Sequence, residues 1–283
     1  MAKPQNLANP KDFFPDERSL RQKRSLGQVF LKDQNILRKT VEYAEILPQD
    51  VVAEVGCGEG WLSLALAKEA RSFHVYELDE GFLNMTRERL AEFKTVEYHS
   101  GDILENRFKN LQEPFKVVAN LPYYISAPFF KLLIESGQNL QSATIMVQEE
   151  FAKKIVAKPG SNEYTSLTIY LRFFLEIEYG FKVSRNCFRP IPGVDSAVVK
   201  VKPRPKPLFE VDEALFFGMV RSSFWARRKR LLNCLLKSPY LNLPPSIKEI
   251  PFFQKNPDVR GETLSVETFY SLYLELVEAI GKP

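Results

Sequence analysis

Histidine and cysteine are scarce in this chain, at two and three among 283 residues. Cys57, Cys187 and Cys234 are odd in number, lie far apart and form no C-x-x-C. Neither a disulfide framework nor a zinc site is expected, and no metal is needed to explain the composition. Long apolar runs are missing too, and nothing approaches the roughly 20 residues that a membrane helix requires. Residues 1–14 contain lysine but no apolar stretch of the kind that opens a secretory signal. The expectation is a reduced, cytoplasmic protein. Intrinsic disorder is excluded for most of the chain, because 45% of it is hydrophobic and 26% charged, an ordinary globular balance. Its length suits one large or two modest domains.

The formal charge of +4 is small, but its placement is uneven. Between Arg18 and Lys39 seven basic residues, including Lys23 and Arg24, face the single acid Asp33. Between Lys200 and Lys237 ten, including Arg221, Arg227, Arg228 and Lys229, face three acids. Two basic blocks on a near-neutral chain point to a polyanion. On charge alone, a solvated surface explains them equally well.

Residues 49–202 alternate short β-branched or aromatic runs with helical stretches, the pattern of a parallel sheet wrapped by helices. Strands are expected at 51–55, 72–77, 95–99, 115–119, 143–147, 176–183 and 195–201. The last two are joined by a loop and should form a hairpin, as in the seven-stranded sheet of class I, Rossmann-like methyltransferases. A helix at 33–44 should precede the first strand, capped by Asp33. At Lys202-Pro203-Arg204-Pro205-Lys206-Pro207 alternate prolines break the pattern. The chain therefore reads as a flexible extension over 1–24, an α/β domain over 25–203 and a small helical domain over 204–283. In the last of these, Phe224, Leu231, Leu232 and Leu235 are read as the buried stripe of one helix that carries Arg227 to Arg230.

The first long strand ends in Gly56-Cys57-Gly58-Glu59-Gly60, a G-x-G-x-G turn that lets backbone approach a ligand. The next ends at Glu77, where a carboxylate can accept from both hydroxyls of an adenosine ribose. A dinucleotide would be served equally well, although Trp61 stands where the dehydrogenase fingerprint has its third glycine. Asp102, after the third strand, is placed to accept from an adenine amine. After the fourth comes Asn120-Leu121-Pro122-Tyr123. The N6 amine of adenine is a poor nucleophile because its lone pair is delocalised into the ring. Acceptors on its hydrogens, here the Asn120 side chain and the Leu121 carbonyl, would localise that pair. Pro122 fixes the backbone and Tyr123 offers a face on which to stack.

Asn120-Leu121-Pro122-Tyr123 resembles the Asn/Asp-x-Pro-Tyr motif of N6-adenine methyltransferases. In its leucine form it resembles the ribosomal RNA adenine dimethylase family, KsgA type. Gly27-Gln28-Val29-Phe30-Leu31, Met146-Val147-Gln148-Glu149-Glu150, Lys158-Pro159-Gly160-Ser161, Phe188-Arg189-Pro190-Ile191-Pro192-Gly193-Val194-Asp195-Ser196-Ala197-Val198 and Phe224-Trp225-Ala226-Arg227-Arg228-Lys229 resemble further segments of that family, in order. The resemblance implies transfer of methyl groups from S-adenosylmethionine to N6 of two adjacent adenosines near the 3′ end of 16S rRNA, by a monomer acting on the small subunit or its assembly intermediate. It implies cofactor contacts at Val29, Leu31, Gly56, Gly58, Glu77, Asp102 and Asn120. The target base would be sandwiched by Tyr123 and Phe188, and RNA held by Lys23, Arg24, Arg221, Arg227, Arg228 and Lys229. Three positions depart from the family: its asparagine is Val29 here, its lysine is Gly193, and its common proline or alanine in the glycine turn is Cys57, a small residue that suits the same geometry. Rival readings are a large-subunit methylase of the antibiotic-resistance type, which usually has isoleucine at the place of Leu121, a DNA methylase, and a non-catalytic assembly or transcription factor of the same fold.

Overall fold

The computed structural model describes residues 29–281. By compactness they divide into two units, 29–153 with 175–205, and 154–174 with 206–281.

The first unit is built on a seven-stranded sheet. It contains β1 (Phe30–Leu31), α1 (Gln34–Ala44), β2 (Val51–Val55), α2 (Trp61–Ala67), β3 (Ser72–Glu77), α3 (Glu80–Arg89), β4 (Val96–Ser100), α4 (Ile103–Asn106) and β5 (Phe115–Asn120). Then follow α5 (Ser126–Glu135), β6 (Leu140–Gln148) and most of α6 (Glu149–Ile155). Asp33 caps α1 as expected, accepting from the backbone N–H of Asn35 and Ile36 at 2.9 and 3.1 Å. All five residues of β2 are buried, the signature of a parallel strand covered on both faces.

The sheet order is β4-β3-β2-β5-β6-β9-β7, where β7 is Leu175–Val183 and β9 is Ser196–Pro203. Strands β2 to β6 run parallel, while β9 is antiparallel to both its neighbours. After β4 the chain returns to the far side of β2 to form β5, so the topological switch lies between β2 and β5. In open α/β sheets, ligands bind at that crevice, beyond the carboxyl ends of the strands. The expected β7–β9 pairing is present, but its connection is more than a loop. It carries β8 (Phe188–Arg189), which pairs antiparallel with β1 in register Leu31 to Phe188.

The second unit is helical: α7 (Ser166–Phe174), α8 (Glu213–Phe224), α9 (Leu231–Lys237), α10 (Pro251–Lys255) and α11 (Val266–Ile280). Phe173 meets Phe216 and Phe217 at centroid distances of 5.3 and 5.2 Å, and all three are fully buried. That aromatic packing groups 154–174 with the C-terminal segment, whereas the sequence reading places it inside 25–203.

The single long helix expected across Phe224 and Leu231 is two helices. Residues 225–230 form the turn between them, and consecutive charges in a turn need no buried face. Lys23 and Arg24, with the rest of 1–24, lie outside the described residues.

Candidate active site

The turn after β2 makes the site possible. Gly56, Gly58 and Gly60 adopt φ values of +78°, +52° and +77°, the left-handed region that side chains disfavour. Register pairs Val55 with Ala119, which puts Gly56 beside Asn120 at the switch point. A Cβ on Gly56 would stand 3.5 Å from the Asn120 carbonyl oxygen; one on Gly60 would stand 2.8 Å from Thr86 Oγ1.

Around this turn opens a cavity of about 490 Å³, within the range of small-molecule sites. Val29, Phe30, Leu31 and Leu62 supply apolar wall, while Glu54, Glu77, Asn120 and Gln148 supply polar groups. Gly56, Gly58, Leu121, Pro122 and Tyr123 line it as well. Nine of the residues singled out from sequence thus share one cavity: Val29, Leu31, Gly56, Gly58, Glu77, Asn120, Leu121, Pro122 and Tyr123.

Glu77, at the end of β3, is held from both sides. One carboxylate oxygen accepts from Gly58 N–H at 3.2 Å, and the other from Leu78 and Asp79 N–H at 2.9 and 3.1 Å. A carboxylate has about four acceptor sites, so this leaves capacity for a ligand hydroxyl. The Tyr123 hydroxyl shares a 2.8 Å hydrogen bond with Ser196 Oγ, which fixes the ring. The adjacent Asp195 pairs with Lys182 at 2.8 Å and accepts from Arg185 N–H at 2.9 Å. At the rim Glu59 pairs with Lys32 and accepts from Trp61 Nε1 at 3.2 Å. The Lys32 ammonium holds the Glu59 carboxyl below the usual carboxylate range.

Two expected residues stand elsewhere. Phe188 has no accessible surface: its pairing with β1 turns the ring into the core with Leu31, Leu37 and Val198. As folded, it cannot face a base. Asp102 does not line the cavity; its Oδ1 caps α4, accepting from Leu104 N–H at 3.0 Å, a role that uses one of its two carboxylate oxygens. The basic residues also differ among themselves. Arg227 donates to Glu262 at 2.9 Å and to the carbonyls of Asn162 and Ser161 at 2.9 and 3.4 Å. It is a structural tie within the helical unit. Arg228 and Lys229 are exposed, and Arg221 lies over the Tyr240 ring at 4.0 Å.

Sequence reasoning missed Glu54. It is completely buried in the middle of β2, lines the cavity, and neither carboxyl oxygen has a hydrogen-bond partner. An acid inside an otherwise apolar parallel strand is itself a signal, since buried carboxylates are seldom left unpaired without a functional reason. Burial, opposed by the nearby Ser63 hydroxyl and reinforced by the Glu77 carboxylate, pushes its pKa from the usual 4.5 to about 8. An acid whose folded-state pKa lies above its unfolded value loses stability as pH rises. Glu54 should therefore weaken the fold progressively between about pH 4.5 and pH 8, on the order of a few kcal/mol. Glu54→Gln should flatten that decline in denaturation midpoints taken from pH 5 to pH 9. An unchanged slope would place its origin in other groups.

The donor set fits S-adenosylmethionine: a ribose acceptor at Glu77, glycine backbone at the turn, apolar wall for the adenine, and the orphaned Glu54 carboxyl for a cation.

Comparison with known proteins decides the family. The chain matches the ribosomal RNA adenine dimethylase family over residues 19–276. It belongs to that family. Similar proteins include the ribosomal RNA small subunit methyltransferase A of Bacillus cytotoxicus, 41% identical over 268 residues that cover 90% of this chain and 91% of the relative. The Bacillus mycoides protein of the same name is 39% identical over 269 residues, with the same coverage. Among solved structures, a dimethyladenosine transferase from Plasmodium falciparum superposes with a TM-score of 0.77 at 26% identity, covering 88% of this chain and 98% of that one. The 23S rRNA methyltransferase ErmE superposes at 0.68 and 28%, covering 87% and 99%. Members of the ribosomal RNA adenine dimethylase family are methyltransferases, which take S-adenosylmethionine as methyl donor, and the Rossmann-like sheet is the one these structures share. Among the described residues no helix is long and apolar enough to cross a membrane.

Proposed function

We propose that this enzyme dimethylates N6 of two adjacent adenosines near the 3′ end of 16S rRNA, acting on the small subunit or its assembly intermediate as a cytoplasmic monomer. The observation that carries the reading is the convergence of Asn120 and Leu121 with the glycine turn and Glu77 on one cavity wall. Bound there, S-adenosylmethionine supplies a methyl group already activated by its sulfonium.

The chain's own residues do the rest. Glu77 accepts from a ribose hydroxyl. The backbone at Gly56 and Gly58 admits close approach because neither carries a Cβ. Glu54 gives up its proton as it meets a cation. The target adenosine leaves its stack, at a few kcal/mol, to enter the cavity beside Tyr123. Asn120 Oδ1 and the Leu121 carbonyl accept the N6 hydrogens and localise the nitrogen lone pair. The monomethylated amine still carries one N–H, so the same acceptors serve the second transfer. No strong base is needed, because the methylated nitrogen is cationic and sheds its proton to water after each attack, and catalysis is mainly positioning. Val29 presents an apolar wall where the family has an asparagine. Val29→Asn should therefore leave cofactor affinity unchanged or tighten it modestly, as calorimetry would show; a large loss would mean that the wall has been shaped around valine.

RNA phosphates fall to the exposed members of the basic blocks. Arg228→Ala with Lys229→Ala should weaken binding to the small subunit and lower its salt slope by about two units. Arg227→Ala should instead destabilise the protein by roughly 1–3 kcal/mol, because its partners Glu262, Ser161 and Asn162 lose their donor. An unaltered salt slope in the folded double variant would move the RNA contact elsewhere.

The substrate is tested by labelled methyl transfer to unmethylated small subunits, to large subunits and to DNA. Label in small subunits is expected; label confined to large subunits favours the resistance-type reading, and label confined to DNA overturns the RNA assignment.

A further inference from the structure

The two histidines of the chain lie 25 residues apart in sequence, yet they meet. Register on β3 and β4 pairs His74 with Glu97 and Tyr76 with His99, and the period of two in a strand puts all four on one face of the sheet. His74 Nδ1 and His99 Nε2 are 3.2 Å apart. Glu97 Oε2 stands 3.6 Å from the first and 4.0 Å from the second. Bonds of about 2.0–2.1 Å from Zn²⁺ to a tetrahedral ligand set imply ligand-to-ligand separations of about 3.3–3.4 Å. The three atoms already stand close to those separations. Closing the longer ones needs only a rotation of the Glu97 side chain, which is 62% exposed, while the two rings sit in packed positions.

The surroundings suit coordination. A ligating imidazole is normally oriented by a hydrogen bond from its other nitrogen. His74 Nε2 lies 3.2 Å from Ser72 Oγ, a hydroxyl that can accept. His99 Nδ1 lies 2.9 Å from the Asn110 side-chain amide, which presents its oxygen once the amide is turned over. The Tyr76 ring stacks on His99 at 4.5 Å and holds its plane. Burial lowers the pKa of both rings, favouring the neutral form that ligates.

We propose that His74, Glu97 and His99 form a binding site for one divalent transition-metal ion, with Zn²⁺ the best match, its fourth position open to water. Imidazole and carboxylate ligands suit zinc and its neighbours in the first transition row, whereas Mg²⁺ prefers an all-oxygen octahedron. None of the three residues lines the cavity described above, so the ion has no part in methyl transfer. It would fasten the edge strand β4 to β3, three residues before the strand end that carries Glu77. Two neutral rings need only a tautomer shift, with both protons on the outer nitrogens, to present two lone pairs to the ion.

The test uses untagged, chelator-treated full-length protein titrated with Zn²⁺ by calorimetry, and with Co²⁺ by visible absorption. One ion per chain is expected, with the intense d–d bands of tetrahedral Co²⁺ and no competition from millimolar Mg²⁺. Glu97→Gln, at an exposed position that the fold does not need, should weaken Zn²⁺ binding at least 10-fold. His99→Ala should weaken it at least 100-fold and abolish the cobalt bands. Zn²⁺ should raise the melting temperature of the wild type most, of Glu97→Gln less at the same concentration, and of His99→Ala least. Equal Zn²⁺ affinity in the wild type and Glu97→Gln would place the ion on the cysteines or elsewhere and overturn the proposal, as would the absence of binding at millimolar Zn²⁺.

Discussion

Asn120→Ala is expected to lower methyl transfer by about 10²-fold or more while S-adenosylmethionine binds nearly as before. Asn120 ends β5 at the switch point, beside Gly56, and in the proposed mechanism its side chain serves the adenine amine as that amine becomes nucleophilic. A positioned hydrogen-bond partner that acts mainly in the transition state is worth roughly that factor. Single-turnover rates with saturating cofactor, set beside calorimetric affinities, separate the two effects. Asn120→Asp retains an acceptor at the same place and should keep much more activity than the alanine variant. Near-normal turnover in Asn120→Ala would remove this residue from the chemistry.

Glu77→Ala should show the opposite pattern, with cofactor affinity falling roughly 10- to 100-fold, the equivalent of the 1.5–3 kcal/mol attached to a charge-assisted hydrogen bond. Its carboxylate does two jobs. It faces the cavity, and it also gathers the N–H groups of Gly58, Leu78 and Asp79, so its loss loosens the turn proposed to carry the cofactor. The Michaelis constant for S-adenosylmethionine should rise, with the rate at saturation changed much less. Unchanged binding by calorimetry would place the cofactor in another part of the molecule.

What could be read from the sequence was largely what local chemistry dictates. The glycine turn is legible because φ values of +52° to +78° demand glycine whatever surrounds them. The cap at Asp33 and the proline break near 203–207 are legible for the same kind of reason. Asn120 to Tyr123 could be located because the order of strands puts the end of the fourth long strand beside the turn that follows the first.

Where the structure differs from the sequence reading, contacts distant in sequence are mostly the cause. Phe188 is buried because β8 pairs with β1, more than 150 residues away, a register that no local pattern announces. Residues 166–174 have an amphipathic helical period that fits either unit; only the rings of Phe216 and Phe217 decide which. Asp102 illustrates a different ambiguity. An acid after a strand can face a ligand or cap the next helix, and here it accepts the N–H of Leu104. Scarcity of histidine argued against a metal site, but strand register brings both histidines within 3.2 Å, and composition carries no record of register.

The central claim is that one cavity dimethylates adenosine on the small subunit. It is tested most directly by incubating unmethylated small subunits with the enzyme and S-adenosylmethionine, then identifying the modified nucleosides of the rRNA by mass spectrometry. Two N6,N6-dimethyladenosines at neighbouring positions near the 3′ end of each 16S rRNA are predicted. Monomethyladenosine as the end product, or unmodified small subunits beside methylated large ones, would contradict it.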